Sequence, residues 1–117
     1  MTQLPDGSDA MVLLTALGDE GQARSLARDL VTAGLAACVT LLPGAQSTYR
    51  WKEGITVDTE VILIMKTPRD RVQPLKERLA AQHPYEVPEI LVFEARECSP
   101  DYLAWLRAAT RSPWEGE

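Results

Sequence analysis

Glu60-Val61-Ile62-Leu63-Ile64-Met65-Lys66 reads as a β-strand without a wet face. Successive side chains of a strand point to opposite sides, so a half-exposed strand alternates apolar with polar residues. Here Val61, Leu63 and Met65 line one side, while Ile62 and Ile64 make the other side aliphatic too. Both faces of the sheet that holds this strand must therefore be covered.

The elements on either side say how much cover one chain provides. Met11 to Leu17 is a second apolar run, bounded by turn residues, and predicts a buried strand. Asp19 stands three positions before Gln22, the form of a capping box, and opens a helix with Ala23, Leu26, Ala27, Leu30 and Val31 at helical spacing. Gly34 supplies its stop. The pattern then predicts a strand from about Ala36 to Leu42, resuming after Pro43-Gly44 as far as Tyr49. A turn at Lys52-Glu53-Gly54 leads into Glu60–Lys66, which Thr67-Pro68 ends. A second helix carries Val72, Leu75 and Leu79, with Pro74 tolerated only in its first turn. Pro88 opens a fourth strand through Phe93. Ser99-Pro100-Asp101 has the form of an N-cap, first position and acidic first turn for a third helix bearing Leu103, Trp105 and Leu106, with Trp105 expected in the core.

The order is β-α-β-β-α-β plus a terminal helix, which predicts an α+β, ferredoxin-like antiparallel sheet with strands one and three central. Two helices cover one face of such a sheet, and the third helix is too short to cover the other. Self-association is the economical solution, through the open face and the long second and third strands.

A chain of 117 residues, 45% hydrophobic and 25% charged, forms one domain over its whole length, 1–117, with a core expected over about 11–108 and frayed ends at 1–9 and 112–117. The net charge of −5 disfavours nucleic acid and anionic membranes as partners. Residues 1–9 lack the order of an export signal, and no apolar run is long enough to span a membrane. Cys38 and Cys98 are too few and too far apart for a disulfide framework or a zinc knuckle, so the cytoplasm is the expected compartment. No nucleophile elbow, His-Glu-x-x-His, recognisable triad or Gly-rich phosphate loop occurs, and the chain is not expected to be an enzyme.

Chemistry concentrates in His83-Pro84-Tyr85-Glu86-Val87-Pro88-Glu89, where prolines stiffen the backbone between a helix and a strand. His83 has two readings: a ring that satisfies the helix end, or a ligand. A thiolate with an imidazole suits copper or zinc, so Cys38 and His83 are candidate metal ligands, with Glu86 and Glu89 as oxygen donors. Cys38 lies within an apolar strand, however, and a small core residue is the more usual reading of a free cysteine there. One subunit offers too few ligands for a closed site, and symmetry-related copies would have to complete it. Glu60, Lys66 and Tyr85 are candidates for an intersubunit cleft that holds a small anion or metal complex, or else for structural ion pairs. Tyr49, Arg50 and Trp51 are candidate interface residues.

Leu35-Ala-Ala-Cys38-Val39, Tyr49-Arg50-Trp51, Glu60 with Lys66-Thr67, His83-Pro84-Tyr85 with Val87-Pro88-Glu89, and Tyr102-Leu-Ala-Trp105-Leu106 together resemble the CutA divalent-cation-tolerance family. The resemblance implies a homotrimer of ferredoxin-like subunits with sheets facing inward and long hairpins clasping neighbours. It also implies a link to tolerance of copper and other divalent cations, copper binding in some members, and an architecture similar to PII-type signalling proteins. That last likeness makes a small-ligand signalling module, with a metabolite between subunits and a partner protein on loop 43–54, the alternative reading. Some family members carry a second histidine and a cysteine where this chain has Gln82 and Leu14, which argues against a dedicated copper site.

Overall fold

β1 (Ala10–Leu17), α1 (Glu20–Thr32), β2 (Cys38–Trp51), β3 (Gly54–Pro68), α2 (Val72–Gln82), β4 (Leu91–Glu94) and α3 (Pro100–Ala109) follow one another in a computed structural model that describes residues 7–111. The four strands form one antiparallel sheet in the order β2-β3-β1-β4, so β1 and β3 are central, as the strand pattern predicts. The protein is α+β and ferredoxin-like.

Local chemistry accounts for the helix ends. The Asp19 carboxylate accepts from the Gln22 amide at 2.8 Å, which satisfies one of the unpaired donors of the first turn of α1. At the other end Gly34, at φ +72°, lets the chain reverse. The Leu35 amide then donates to Leu30 and the Gly34 amide to Val31, each at 3.0 Å, the double closure of a Schellman motif. Pro74 lies at the third residue of α2, where its missing N–H costs nothing. Pro100 begins α3, but the Ser99 side chain makes no cap bond.

The core lies between the sheet and α1 and α2. Leu13, Leu17, Val61, Leu63 and Met65 meet Leu26, Leu30, Leu75 and Leu79 there. Thr15 shares that face and is fully buried, and its Oγ1 has no hydrogen-bond partner among the described residues. A buried hydroxyl without a partner costs its desolvation, so Thr15→Val, which keeps the shape, is expected to stabilise the protein by about 1 kcal/mol in denaturant unfolding. No gain would mean that the hydroxyl is hydrogen-bonded in solution.

The opposite face carries Val12, Leu14, Ile62, Ile64, Leu42, Leu91 and Phe93, by their strand pairing. α3 shields only one end of it, where Leu106 packs on Ala10 and Ala37. Leu42, Leu91 and Phe93 stay about half exposed. The expectation of an uncovered apolar face holds.

β2 and β3 continue past the body of the sheet as a two-stranded arm, paired from Ala45↔Glu60 to Trp51↔Gly54. Pro43 and Gly44 stand together opposite Val61 as a bulge, with Gly44 at φ +77°. The strand does not break there, and β3 starts at Gly54, well before Glu60. The sequence pattern hid this because Thr56, Asp58 and Thr59 interrupt the apolar run. The radius of gyration is 16.0 Å, against about 13 Å for a compact chain of this length, and the arm explains the excess.

Four other expectations change. β2 begins at Cys38, because Leu35 to Ala37 complete the α1 exit. β4 begins at Leu91, because Pro88 lies in the preceding linker. Trp105 is 47% exposed, because α3 turns Leu103, Leu106 and Thr110 to the body instead. Ser8 and Asp9 are tied down: Ser8 bonds the Ala95 carbonyl, and Asp9 pairs with Arg69 and with Arg107 at 2.7 Å. Residues 1–6 and 112–117, also expected to fray, lie outside the described residues.

Candidate functional site

His83 is the pivot between α2 and β4. Pro84 disfavours helical geometry in the residue before it, so His83 leaves the helix extended, at φ −70° and ψ 135°. Its ring turns inward and is only 8% exposed. Nε2 lies 3.0 Å from the Ala16 carbonyl, beyond the point where β4 stops accompanying β1. Nδ1 lies 3.1 Å from the Tyr85 amide. A carbonyl only accepts and an amide N–H only donates, so the neutral ring carries its proton on Nε2. Both nitrogens are committed inside the subunit.

The same bond aims Tyr85, whose ring stacks edge-on against the imidazole at 4.9 Å between centroids. The Tyr85 hydroxyl donates to Glu60 Oε2 at 2.8 Å. On β3, Asp58 and Glu60 share a face, and Asp58 accepts from the Tyr49 hydroxyl. Two phenols and two carboxylates, from β2, β3 and the linker, thus gather at the root of the arm. Burial, then the hydrogen bond to Glu60, pushes the Tyr85 phenol up to about 12. The bond to Asp58 raises the Tyr49 phenol first of all, with burial and Glu60 adding to it.

These shifts carry a sign. A phenol whose folded value lies above its unfolded one stabilises the fold below the unfolded value of about 10, and the stabilisation is lost as pH rises through the folded value. The melting temperature is expected to fall between about pH 10 and pH 12, and Tyr85→Phe to flatten that fall. An unchanged alkaline profile in the variant would show that the Tyr85–Glu60 bond does not form in solution.

Cys38 is elsewhere. It is half-buried on the open sheet face, 3.9 Å from the Thr40 hydroxyl, and pairs with Lys66, which pairs with Val12. The His83 ring meets Ala16, four residues further along β1, about 13 Å at strand spacing. Cys38 and His83 are therefore not neighbours within one subunit. Lys66 is likewise at the far end of β3 from Glu60 and Tyr85. Glu86 and Glu89 are exposed on the linker. Among the described residues no three His, Cys, Asp or Glu side chains are grouped to hold a metal, so the predicted donor set does not fit an ion inside one chain. Tyr49 belongs to the cluster as well as to the arm, where its ring meets Trp51 edge-on at 6.5 Å. Arg50 and Trp51 are exposed on the arm.

Asp58 is the residue that the sequence reading missed. Its signal was the Asp58-x-Glu60 alternation, which has meaning only once β3 is known to begin at Gly54. An open groove of about 300 Å³ between α1 and α2, lined by Leu17, Gln22, Leu26, Asp29, Gln82 and Pro84, contains none of the clustered groups.

Known proteins resemble the chain over most of its length. A family profile described as CutA1 divalent ion tolerance protein matches residues 11–109. A divalent-cation tolerance protein CutA of Yersinia pestis is 43% identical over 102 residues, which cover 87% of this chain and 86% of that one. The crystal structure of CutA from Xylella fastidiosa superposes with a TM-score of 0.85 at 38% identity, covering 89% of this chain and all of the other. CutA from Synechococcus elongatus, solved as a complex with a Bis-Tris molecule, gives a TM-score of 0.81 at 40% identity, covering 92% of this chain and 99% of that one.

Proposed function

The chain belongs to the CutA1 divalent ion tolerance family, and on that premise we propose that it works in the cytoplasm as a homotrimer that meets divalent ions, copper foremost, where its copies join. The observation that carries this reading is the apolar sheet face left open beside a projecting arm. Leu42, Leu91 and Phe93 are about half exposed there, and a two-stranded ribbon is marginal in water without something to pack on. Copies of the chain supply both covers at once. Cys38 lies on that open face, so its thiol faces the neighbours rather than its own core. Free thiols at Cys38 and Cys98 suit a reducing compartment.

Ion binding under this reading draws ligands from more than one subunit: Cys38 from the open face, oxygen donors Glu86 and Glu89 from the linker, and His83 once it releases the Ala16 carbonyl. The test is a Cu(II) titration against a competing chelator, with solution mass measured alongside, for the parent chain, Cys38→Ala and His83→Ala. A stoichiometric site that weakens in the variants while the trimer persists is the expected result. Equal, weak binding in all three would end the metal assignment. A monomeric parent would end the assembly.

A second reading rests on the Tyr49, Asp58, Glu60 and Tyr85 cluster, two carboxylates beside aromatic rings. Such a group suits a small hydroxylated amine, the class of molecule bound in the Synechococcus elongatus relative. A melting shift with such amines, abolished by Glu60→Gln and absent with metals, would favour a signalling role over ion binding.

A further inference from the structure

α1 and α2 lie on one face of the sheet, and among the described residues a single ion pair, Asp29 with Arg78 at 2.8 Å, joins them. Toward the α2 exit they leave the open groove of about 300 Å³, the lower end of the range for small-molecule sites. Gln22, Ser25, Leu26 and Asp29 recur at helical spacing and form one wall. Gln82, the last residue of α2, and Pro84 form the other. Leu17, at the end of β1, is fully buried and lies beneath. Leu17, Leu26 and Pro84 thus make the groove apolar at its base. Above them Gln22 and Gln82 carry carboxamides and Ser25 a hydroxyl, none with a side-chain partner among the described residues. Asp29 Oδ2 accepts from Arg78 Nη1, which neutralises the carboxylate and leaves Oδ1 open as an acceptor. No basic side chain lines the groove, which disfavours phosphates and carboxylates, and a carboxylate already paired offers little to a free cation. A carboxamide presents a donor beside an acceptor, and it pairs twofold with a molecule that does the same.

We infer that this groove binds a small uncharged molecule with a flat apolar body and an amide-type edge, the class of the nucleobases and other ring amides. The ring lies on Leu17, Leu26 and Pro84, and its polar edge meets Gln22 and Gln82. The same residues frame the His83 pivot. Gln82 and Pro84 are its chain neighbours, and the carbonyl beside its ring belongs to Ala16, next to Leu17. Gly18 follows, so near Tyr85 that an added Cβ would stand 3.5 Å from the hydroxyl. A ligand in contact with Leu17 on one side and with Gln82 and Pro84 on the other spans the two segments that the His83–Ala16 bond ties together. It therefore favours the form in which that bond is made, and the linkage is reciprocal. Occupancy of the outer groove steadies Tyr85 on Glu60 at the arm root without touching either. Neither the site nor this linkage depends on self-association or on ion binding.

The test is thermal melting of the full chain with adenosine and with nicotinamide, against adenosine monophosphate and benzylamine as charged counterparts. The neutral probes are expected to raise the melting temperature with half-saturation below about 1 mM. Ser25→Phe, which fills the groove from an exposed helix position, is expected to abolish that shift, and Gln22→Leu to weaken binding about tenfold. The charged probes are expected to give no shift that Ser25→Phe removes. Hydrogen exchange on the unmutated chain supplies a second measurement. The Tyr85 amide, which donates to His83 Nδ1, is expected to exchange severalfold more slowly with adenosine bound. Neutral probes without effect, or a shift that survives Ser25→Phe, would overturn the site. A groove-dependent shift with the charged probes alone would overturn the ligand class, and unchanged Tyr85 exchange would overturn the link to the pivot.

Discussion

Ile64→Asp is expected to leave folded monomers at micromolar concentration, where the parent chain forms the proposed trimer. Ile64 sits in the middle of the open face, paired with Leu14 on one side and Thr40 on the other. In the single subunit it is half-buried, so a carboxylate there reaches water and the chain still folds. Once copies close over the face, as proposed above, the same carboxylate loses its hydration. The effective penalty for such a buried charge is several kcal/mol, and each copy in the assembly bears it. Lost aliphatic burial adds to it. Sedimentation velocity gives the mass, and circular dichroism checks that the fold remains. A variant that keeps the parent mass would place the subunit contacts elsewhere and remove the main support for the proposed trimer.

The second large effect is expected from His83→Ala, and it is expected without any metal. The change removes a nearly buried ring and orphans two backbone groups, the Ala16 carbonyl and the Tyr85 amide. Each group left without a partner costs about 1–3 kcal/mol, so a loss of about 3 kcal/mol in chelator-treated protein is the central expectation. Tyr85 should loosen with it, since the amide bond to Nδ1 sets its direction toward Glu60. Its phenol is then expected to titrate below the value of about 12 that it has in the intact fold. Spectrophotometric titration of the tyrosines reads this directly. If the variant were as stable as the parent and only ion affinity fell, the imidazole would be a ligand held in reserve instead of a structural pivot. The two experiments separate what metal-binding assays on His83 variants alone would confuse: loss of a ligand and loss of the linker that carries Glu86 and Glu89.

The helix boundaries at Asp19, Gly34 and Pro74 were legible because capping bonds, a positive-φ glycine and a missing N–H act within a few residues of where they are written. The need to cover both faces of β3 was legible for the same reason: strand parity is a local property, and Ile62 and Ile64 declare themselves. The length of the arm was not, since Thr56, Asp58 and Thr59 look like a loop until pairing with Tyr49, Ser47 and Gln46 holds them extended. Trp105 looked like core on hydrophobicity alone, but a helix buries the stripe that its docking angle selects, and that angle belongs to the contact of Leu106 with Ala10 and Ala37.

The chain's own sequence therefore determined its element order, its helix ends, the open apolar face and the family to which it belongs, because each is written in spacing and residue type. Only the tertiary structure decided that both nitrogens of His83 are taken, that Cys38 is two strands away and offset about 13 Å along the strand direction from the His83 contact on β1, and that Tyr49, Asp58, Glu60 and Tyr85 meet at the arm root. Those facts depend on where β4 stops beside β1 and on how far β2 and β3 pair. Strand register, set by packing between segments remote in sequence, is the physical quantity that no single stretch of residues contains.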